Sequence, residues 1–175
     1  MRGQFILIRL RTKVERALNG MNEKTKTILL CQRSDLFQAA EWIVKLIGGR
    51  TLFLFVGEVG SGKTTLISEI CQLLGFHEVA SPSFAIHHRY ENPKGQTLDH
   101  VDLYRVTDEA DLESTGFWDL FQQQDTCLMV EWADRIADHA WPINWQTYKV
   151  EFEKLEGEKR KIRISPLKNP EIAED

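Results

Sequence analysis

The stretch of sequence that decides the fold runs from Thr51 to Thr64 and reads TLFLFVGEVGSGKT. Its opening run, Thr51 to Val56, is rich in aromatic and branched side chains and carries no charge, which is typical of a strand buried on both faces of a parallel sheet. The rest, Gly57 to Thr64, matches the pattern G-x-x-x-x-G-K-S/T. Glycines suit such a loop because its backbone N–H groups must turn inward around a phosphate, and side chains would block that approach. The stretch therefore predicts a buried central strand followed by a phosphate-binding loop.

The residues after the loop show the spacing of a helix. From Lys63 to Leu74 the apolar side chains recur on one face, and Gly75 stands where a C-terminal cap glycine belongs. In a phosphate loop Lys63 would reach the β and γ phosphates, and Thr64 would offer its hydroxyl to Mg²⁺. The helix would also direct the positive end of its dipole at the anion. The alternative for the pattern alone is a glycine-rich turn with a solvated lysine.

The segments on either side predict helices around a sheet. A strand at 28–31 and a helix from Ser34, ended by Gly48 and Gly49, precede the central strand. The remaining predicted elements are strands at 84–90, 97–102 and 126–130, a helix capped by Thr107 and broken at Gly116, and a hairpin of 148–152 with 161–164 turning at Glu156-Gly157. The chain is therefore assigned to the α/β class, with a C-terminal β-hairpin.

Composition excludes several classes of protein. The chain has 175 residues, 42% hydrophobic and 27% charged, which fits one ordinary domain. Its net charge of -4 predicts no strongly basic face, which argues against direct binding to DNA or RNA. No apolar run approaches about 18 residues, so neither a membrane span nor a secretory signal is expected. Three cysteines lie in apolar runs and predict buried, reduced thiols and a cytoplasmic location: Cys31, Cys71 and Cys127.

The chain divides unevenly into three predicted parts. Residues 1–20 form a basic leader that is weakly typical of a transit peptide and equally suits a strand or an upstream extension, with Met21 as an alternative start. Residues 21–165 form the phosphate-loop domain. Residues 166–175 are polar, contain proline and predict a flexible tail.

Two carboxylates at strand ends are candidates for the acidic partner that a phosphate loop requires. Glu131 ends the buried run CLMVE, and it would bind Mg²⁺ or polarise the attacking water. Asp102 follows a shorter apolar run and is a second candidate. The alternative for each is a surface carboxylate at a strand end. Ser83, in the turn SPSF, stands where phosphate-loop switches carry a hydroxyl that senses the γ-phosphate. His100, by contrast, is interpreted as an ordinary strand residue.

Five motifs, taken in order, resemble one family. They are GEVGSGKTT from Gly57, SPSF from Ser81, HVDLYR from His100, ESTGFWDLF from Glu113 and LMVEW from Leu128. Together they resemble TsaE, the small ATPases of bacterial threonylcarbamoyladenosine synthesis, over about residues 28–165, and DLYR with VEW is more specific than the loop. The resemblance implies a P-loop α/β fold, binding of ATP and Mg²⁺, and a complex with TsaD and TsaB in which ATP hydrolysis supports modification of tRNA at adenosine 37. tRNA would be reached only through these partners.

Carried over position by position, the resemblance implies a role for each matching residue. Lys63, Asp102 and Glu131 would be catalytic, and Thr64 with Glu131 would bind Mg²⁺. The residues implied to contact ATP are Glu58, Val59, Gly60, Ser61, Gly62, Lys63, Thr64, Thr65 and Ser83, with Trp132 as a neighbour of the site. Ser83 stands where the family usually has threonine and Ala133 where it often has proline, and neither change removes a functional group.

Two other functions fit parts of the sequence. A kinase for a small metabolite fits the size and the loop, but it would need an arginine-rich lid, whereas Arg89, Arg105 and Arg135 are scattered. A nucleotide-gated assembly factor would bind ATP with only incidental hydrolysis. A GTPase is less expected because the N/T-K-x-D element is not found in the sequence.

Overall fold

The computed structural model describes residues 25–30, 33–76, 86–123, 126–157 and 159–167. Its strands are β1 (Lys26–Leu30), β2 (Thr51–Val56), β3 (His87–Glu91), β4 (Thr97–Asp102), β5 (Thr126–Glu131), β6 (Gln146–Lys154) and β7 (Arg160–Pro166). Its α-helices are α1 (Arg33–Leu46), α2 (Lys63–Leu73) and α3 (Glu109–Ser114). Short 3₁₀ helices span Phe117–Gln122, Ala133–Arg135 and Asp138–Ala140.

One seven-stranded sheet organises these elements in the order β1-β7-β6-β2-β5-β4-β3. β2 lies at its centre and runs parallel to both neighbours, β5 and β6. β4 is parallel to β5, whereas the outer pairs β3–β4, β6–β7 and β1–β7 are antiparallel. Both faces of β2 are covered, as its unbroken apolar run predicts. The α/β class, the central position of TLFLFV and the C-terminal hairpin are confirmed.

The alternating side chains of β2 divide the core into two layers. Phe53 and Phe55 pack on the face covered by α1 and α2, while Leu52 and Leu54 pack on the opposite face. The second layer is aromatic, and Phe117 and Phe121 make an edge-on contact there with ring centroids 5.3 Å apart. Residues in a strand point alternately to opposite faces, so β2 contributes to both layers at once.

The helix predicted from Thr107 begins one residue later than expected. The N-cap is Asp108, whose carboxylate accepts a hydrogen bond from the Asp111 backbone N–H. Thr107 instead donates its backbone N–H and hydroxyl to the Asp111 carboxylate, at 3.2 and 2.5 Å. The predicted cap at Thr107 is therefore wrong, because the carboxylate that accepts from a backbone N–H of the first turn belongs to Asp108. The predicted break at Gly116 is confirmed, since its φ of 68° separates α3 from the 3₁₀ helix that follows.

Several predictions fall at or beyond the limits of the described residues. Cys71 and Cys127 are buried free thiols, and burial raises the pKa of Cys71 to about 12. Pro166 belongs to β7 and the backbone N–H of Leu167 bonds to Thr147 O, so these two residues extend the sheet rather than a tail. The predictions for the leader 1–20, for Cys31, for Ser83 and for residues 168–175 concern residues outside the described ranges. Within those ranges, no helix combines the length and the apolar character needed to cross a bilayer.

Candidate functional site

A cleft of about 290 Å³ opens at the carboxyl ends of the central parallel strands. Residues 59–65 of the loop line it, together with Asp102, Tyr104, Glu131 and Trp132. The register explains the meeting point, because Glu131 at the end of β5 pairs with Phe55 of β2 and with Asp102 of β4. Ligands of open α/β sheets bind at this edge. The cleft therefore unites the loop and both strand-end carboxylates that the sequence singles out.

The loop adopts a conformation that glycine permits. Gly60 and Gly62 have φ values of 69° and 105°, a region that side chains disfavour. Gly62 is also the N-cap of α2, and no side chain caps that end of the helix. Uncapped backbone N–H groups at the start of an 11-residue helix form a natural site for an anion.

Gly57 is required by packing as well as by its backbone conformation, in which φ is 148°. A Cβ placed there would lie 2.8 Å from Phe152 Cβ and 2.9 Å from Phe152 O. Strand β6 therefore presses directly against the start of the loop. This constraint is invisible in the sequence, because Phe152 lies far along the chain.

Two of the residues implied to contact ATP are tied to β6 at the rim of the loop. The Glu58 carboxylate pairs with Lys154 at 3.2 Å, and Glu58 is not among the residues that line the cleft. Lys154 also donates to Val59 O at 2.9 Å. Val59 does line the cleft, with 62% of its surface exposed. These contacts hold the tip of the loop against the hairpin.

Lys63 lies folded back against its own loop. Its ammonium donates to Gly57 O at 2.7 Å and to Glu58 O at 3.0 Å, and the residue is only 4% exposed. Nζ also lies 4.0 Å from the centroid of the Trp132 ring. Burial lowers the pKa of Lys63, against the opposing charges of nearby carboxylates, of which Glu131 contributes most. A buried cation held by carbonyl oxygens is available for exchange onto an anionic ligand.

Trp132 holds a strained backbone beside this lysine. Among the residues that the structure describes, Trp132 alone combines a side chain with a positive φ, at 58°. Such a conformation costs about 1 to 3 kcal/mol and tends to persist at functional sites. Tyr104 packs on the same ring, with centroids 5.1 Å apart. Trp132 thus forms one wall of the cleft, as its position after Glu131 suggests.

Glu131 joins the loop to the sheet. Thr64 Oγ1 donates to Glu131 Oε2 at 2.9 Å, and His100 Nε2 lies 2.9 Å from Oε1. Glu131 is only 2% exposed, so the alternative of an ordinary surface carboxylate is wrong. A hydroxyl and a carboxylate in contact at the end of a phosphate loop form a donor set of the kind that Mg²⁺ prefers.

Asp102 lies beside Glu131, half-buried at the edge of the cleft. Its Oδ1 accepts a hydrogen bond from the Tyr104 backbone N–H at 2.9 Å. Burial raises the pKa of Asp102, and the charge of Glu131 adds to that effect, while the hydrogen bond from Tyr104 lowers it. Two carboxylates at matching register positions make this edge of the sheet suited to a cation or to an ordered water.

His100 is a site residue that the sequence patterns did not single out. Its side chain shares a strand face with Asp102, because the two are two residues apart, and this places its ring against Glu131. The spacing H-x-D on a strand that ends at a candidate site was the available signal. Ser83 lies outside the described residues, so its predicted role stays a prediction.

Comparisons with known proteins agree with the fold and with the family that the sequence motifs resemble. The family model of TsaE, described as threonylcarbamoyl adenosine biosynthesis protein TsaE, matches residues 30–162. Curated proteins named tRNA threonylcarbamoyladenosine biosynthesis protein TsaE are similar to the chain. The protein from Haemophilus influenzae is 35% identical over 98 residues, 55% of this chain and 61% of that protein. The one from Synechocystis is 32% identical over 122 residues, 66% of this chain and 75% of that protein.

Other relatives are matched over shorter stretches. A Bacillus subtilis protein of the same name is 39% identical over 83 residues, 47% of this chain and 50% of that protein. The chain thus spans half to about three-fifths of the Haemophilus and Bacillus relatives. The crystal structure of Bacillus subtilis YdiB shares the fold, with a TM-score of 0.60 and 22% identity, over 83% of this chain and 87% of that one.

Proposed function

The chain belongs to the TsaE family, and from this premise we propose that it is a Mg²⁺-dependent ATPase serving threonylcarbamoyladenosine formation on tRNA. The observation that carries the proposal is the 2.9 Å hydrogen bond between Thr64 of the loop and Glu131 of β5. It joins the two groups from which a phosphate-loop enzyme builds its metal site. The names of the relatives support the proposed pathway.

The cleft fits ATP and Mg²⁺ by the chemistry of its groups. Gly60 and Gly62 provide a loop without side chains at the positions where N–H groups would surround a phosphate. Thr64 and Glu131 would hold the cation through oxygen atoms, the ligands that Mg²⁺ takes alongside phosphates and water. When bound, Mg²⁺ neutralises charge on the phosphates during transfer.

Lys63 would act by exchanging partners. It is bound to Gly57 O and Glu58 O, and it would leave these carbonyls to bind phosphate oxygens. An ammonium gains more from a charged phosphate than from neutral carbonyls, so the exchange favours the bound state. Residues 59–65 would position the phosphates at the start of α2.

Asp102 is assigned the task of orienting the attacking water. Its carboxylate lies on the cleft beside Glu131, and its Oδ1 is anchored by the Tyr104 N–H. Hydrolysis at a phosphate loop needs a group that positions water rather than a strong base. We assign this role to Asp102 and metal binding to Glu131, since of these two carboxylates Glu131 is the one that Thr64 hydrogen-bonds to.

The proposed partners are TsaD and TsaB, in the cytoplasm. The net charge of -4 supports an indirect route to tRNA, because proteins that bind nucleic acid directly present basic surfaces. Hydrolysis by the chain alone is expected to be slow, since enzymes of this kind often need a partner to supply an arginine or order a switch.

Phosphate release measured on the full chain with TsaD and TsaB tests the proposal. Glu131→Ala and Lys63→Ala are expected to lose at least about 100-fold in turnover, because each removes charge stabilisation at the phosphates. Lys149→Ala is the matched control, since this lysine pairs with the exposed Asp138, at 3.1 Å, and is not among the residues that line the cleft. Full turnover by Glu131→Ala would remove that residue from the mechanism. If the chain binds ATP but TsaD and TsaB do not stimulate the release of phosphate, the result would indicate a nucleotide-gated assembly factor instead.

The pathway is tested in cells that lack this protein. Wild type is expected to restore threonylcarbamoyladenosine in tRNA, and Lys63→Ala is expected not to. Restoration by Lys63→Ala at equal protein level would contradict an ATP-dependent role.

A further inference from the structure

A histidine is buried directly against the carboxylate that the proposed site uses. His100 Nε2 lies 2.9 Å from Glu131 Oε1, and the side chains are only 1% and 3% exposed. His100 is on β4 and Glu131 on β5, two parallel strands whose register pairs Asp102 with Glu131. The contact is therefore set by the sheet itself.

The carboxylate of Glu131 is held from opposite sides. Thr64 bonds to Oε2 and His100 to Oε1, each at 2.9 Å. The terminal torsion of a glutamate is broad, so one hydrogen bond leaves the carboxylate plane free to turn. The second bond fixes that plane and keeps Oε2 directed at the loop.

Packing does not account for a histidine at this position. Among the described residues, His100 Nδ1 is buried without a hydrogen-bond partner. An unpaired buried polar atom is destabilising, and an aliphatic side chain would avoid that cost. The hydrogen bond that its side chain does make is through Nε2, to Glu131. The residue is thus placed for what Nε2 does.

We propose that His100 is a positioning residue that orients Glu131 for Mg²⁺ and thereby couples the cation to nucleotide binding. This inference rests on the proposed function. Partners behind a metal ligand fix its orientation, and their loss typically lowers metal affinity by about 10- to 100-fold. His100 is not among the residues that line the cleft, whereas Glu131 is, so the effect of His100 passes through Glu131.

Calorimetric titration of ADP into the full chain, with Mg²⁺ and with EDTA, tests the inference. The quantity compared is the affinity for ADP in Mg²⁺ divided by the affinity for ADP in EDTA. His100→Leu is expected to reduce this ratio by about 10- to 100-fold while leaving the affinity in EDTA unchanged. His100→Gln is expected to stay within about fivefold of wild type, because its amide nitrogen places a donor near the position of Nε2.

A double-mutant cycle and a control variant separate positioning from loss of structure. In a Glu131→Gln background His100→Leu is expected to have no further effect on the ratio. Ile164→Ala creates a cavity in the core at β7, where Ile164 is 1% exposed, and controls for lowered stability.

Three results would overturn the inference alone: an unchanged ratio in His100→Leu, an equal loss in Ile164→Ala, or a further loss in the Glu131→Gln background. A wild-type chain whose affinity for ADP does not depend on Mg²⁺ would overturn both this inference and the proposed function.

Discussion

Alanine at Gly57 is expected to be far more destabilising than alanine at Gly60, although both belong to the same loop. Gly57 has a φ of 148°, and a Cβ there would lie 2.8 Å from Phe152 Cβ and 2.9 Å from Phe152 O. Gly60 has a φ of 69°, and a Cβ there meets nothing within 4 Å. The two substitutions are identical in chemistry and differ in the backbone conformation and the surroundings of the glycine.

The expected magnitudes follow from two separate costs. The backbone of Gly57 is in a region that alanine rarely adopts, which costs about 1 to 3 kcal/mol. The contact with Phe152 involves the backbone of β6, so relief requires a shift of the strand at a further cost of about 1 to 3 kcal/mol. Gly57→Ala is therefore expected to lower the free energy of unfolding by about 2 to 6 kcal/mol. Gly60→Ala bears only the left-handed backbone cost of about 1 to 2 kcal/mol.

Urea denaturation followed by circular dichroism, without nucleotide, measures both values. Failure of Gly57→Ala to fold while Gly60→Ala folds would be the same result in its extreme form. A loss for Gly57→Ala no larger than that for Gly60→Ala would refute the reasoning, because it would show that β6 does not press on the loop.

Three further predictions concern other parts of the fold. Burial alone would raise the pKa of Asp99. Hydrogen bonds from His87 and Arg89 on β3 outweigh burial and hold that pKa below its ordinary value. The stabilising effect of the charged Asp99 is complete above about pH 4 and is lost as the pH falls through the lowered pKa. Below about pH 4 the free energy of unfolding in urea should therefore fall more steeply for wild type than for Asp99→Asn, and equal slopes would contradict this. Trp132→Leu should lower the free energy of unfolding by about 0.5 to 2 kcal/mol, because the ring over the Lys63 ammonium is lost. The loss should be clearly smaller in a Lys63→Met background, and additive effects of the two substitutions would exclude the cation–π contact. Asp108→Ala should cost about 1 kcal/mol in thermal or urea unfolding through loss of the α3 cap, and no change would argue against Asp108 as the N-cap.

Predictions from the sequence held where the signal was local. The strand from Thr51, the glycine loop and the helix from Lys63 lie in one continuous stretch, and each has its own pattern of apolar or glycine residues. The predicted cap of α3 at Thr107 was wrong because Thr107 and Asp108 are neighbours with similar capping chemistry. Only backbone geometry decides which of the two is the N-cap. Element types are thus readable from short windows, while element boundaries depend on a few hydrogen bonds.

The candidate site shows the same division at longer range. Lys63, Thr64 and Glu131 are recognisable because a loop motif and a strand-end acid each carry a signal in a few residues. His100 carries no motif of this kind beyond its H-x-D spacing to Asp102, since its importance comes from lying on the strand beside Glu131.

By itself the sequence determined a central buried strand, a glycine-rich loop, a following helix and the family to which these motifs belong. The tertiary structure alone decided that Phe152 forbids a side chain at Gly57, that Trp132 takes a left-handed backbone beside Lys63, and that His100 and Thr64 hold Glu131 from opposite sides. The physical reason is strand register. Patterns within one element follow from neighbours along the chain, whereas contacts between elements depend on which residues the sheet places side by side.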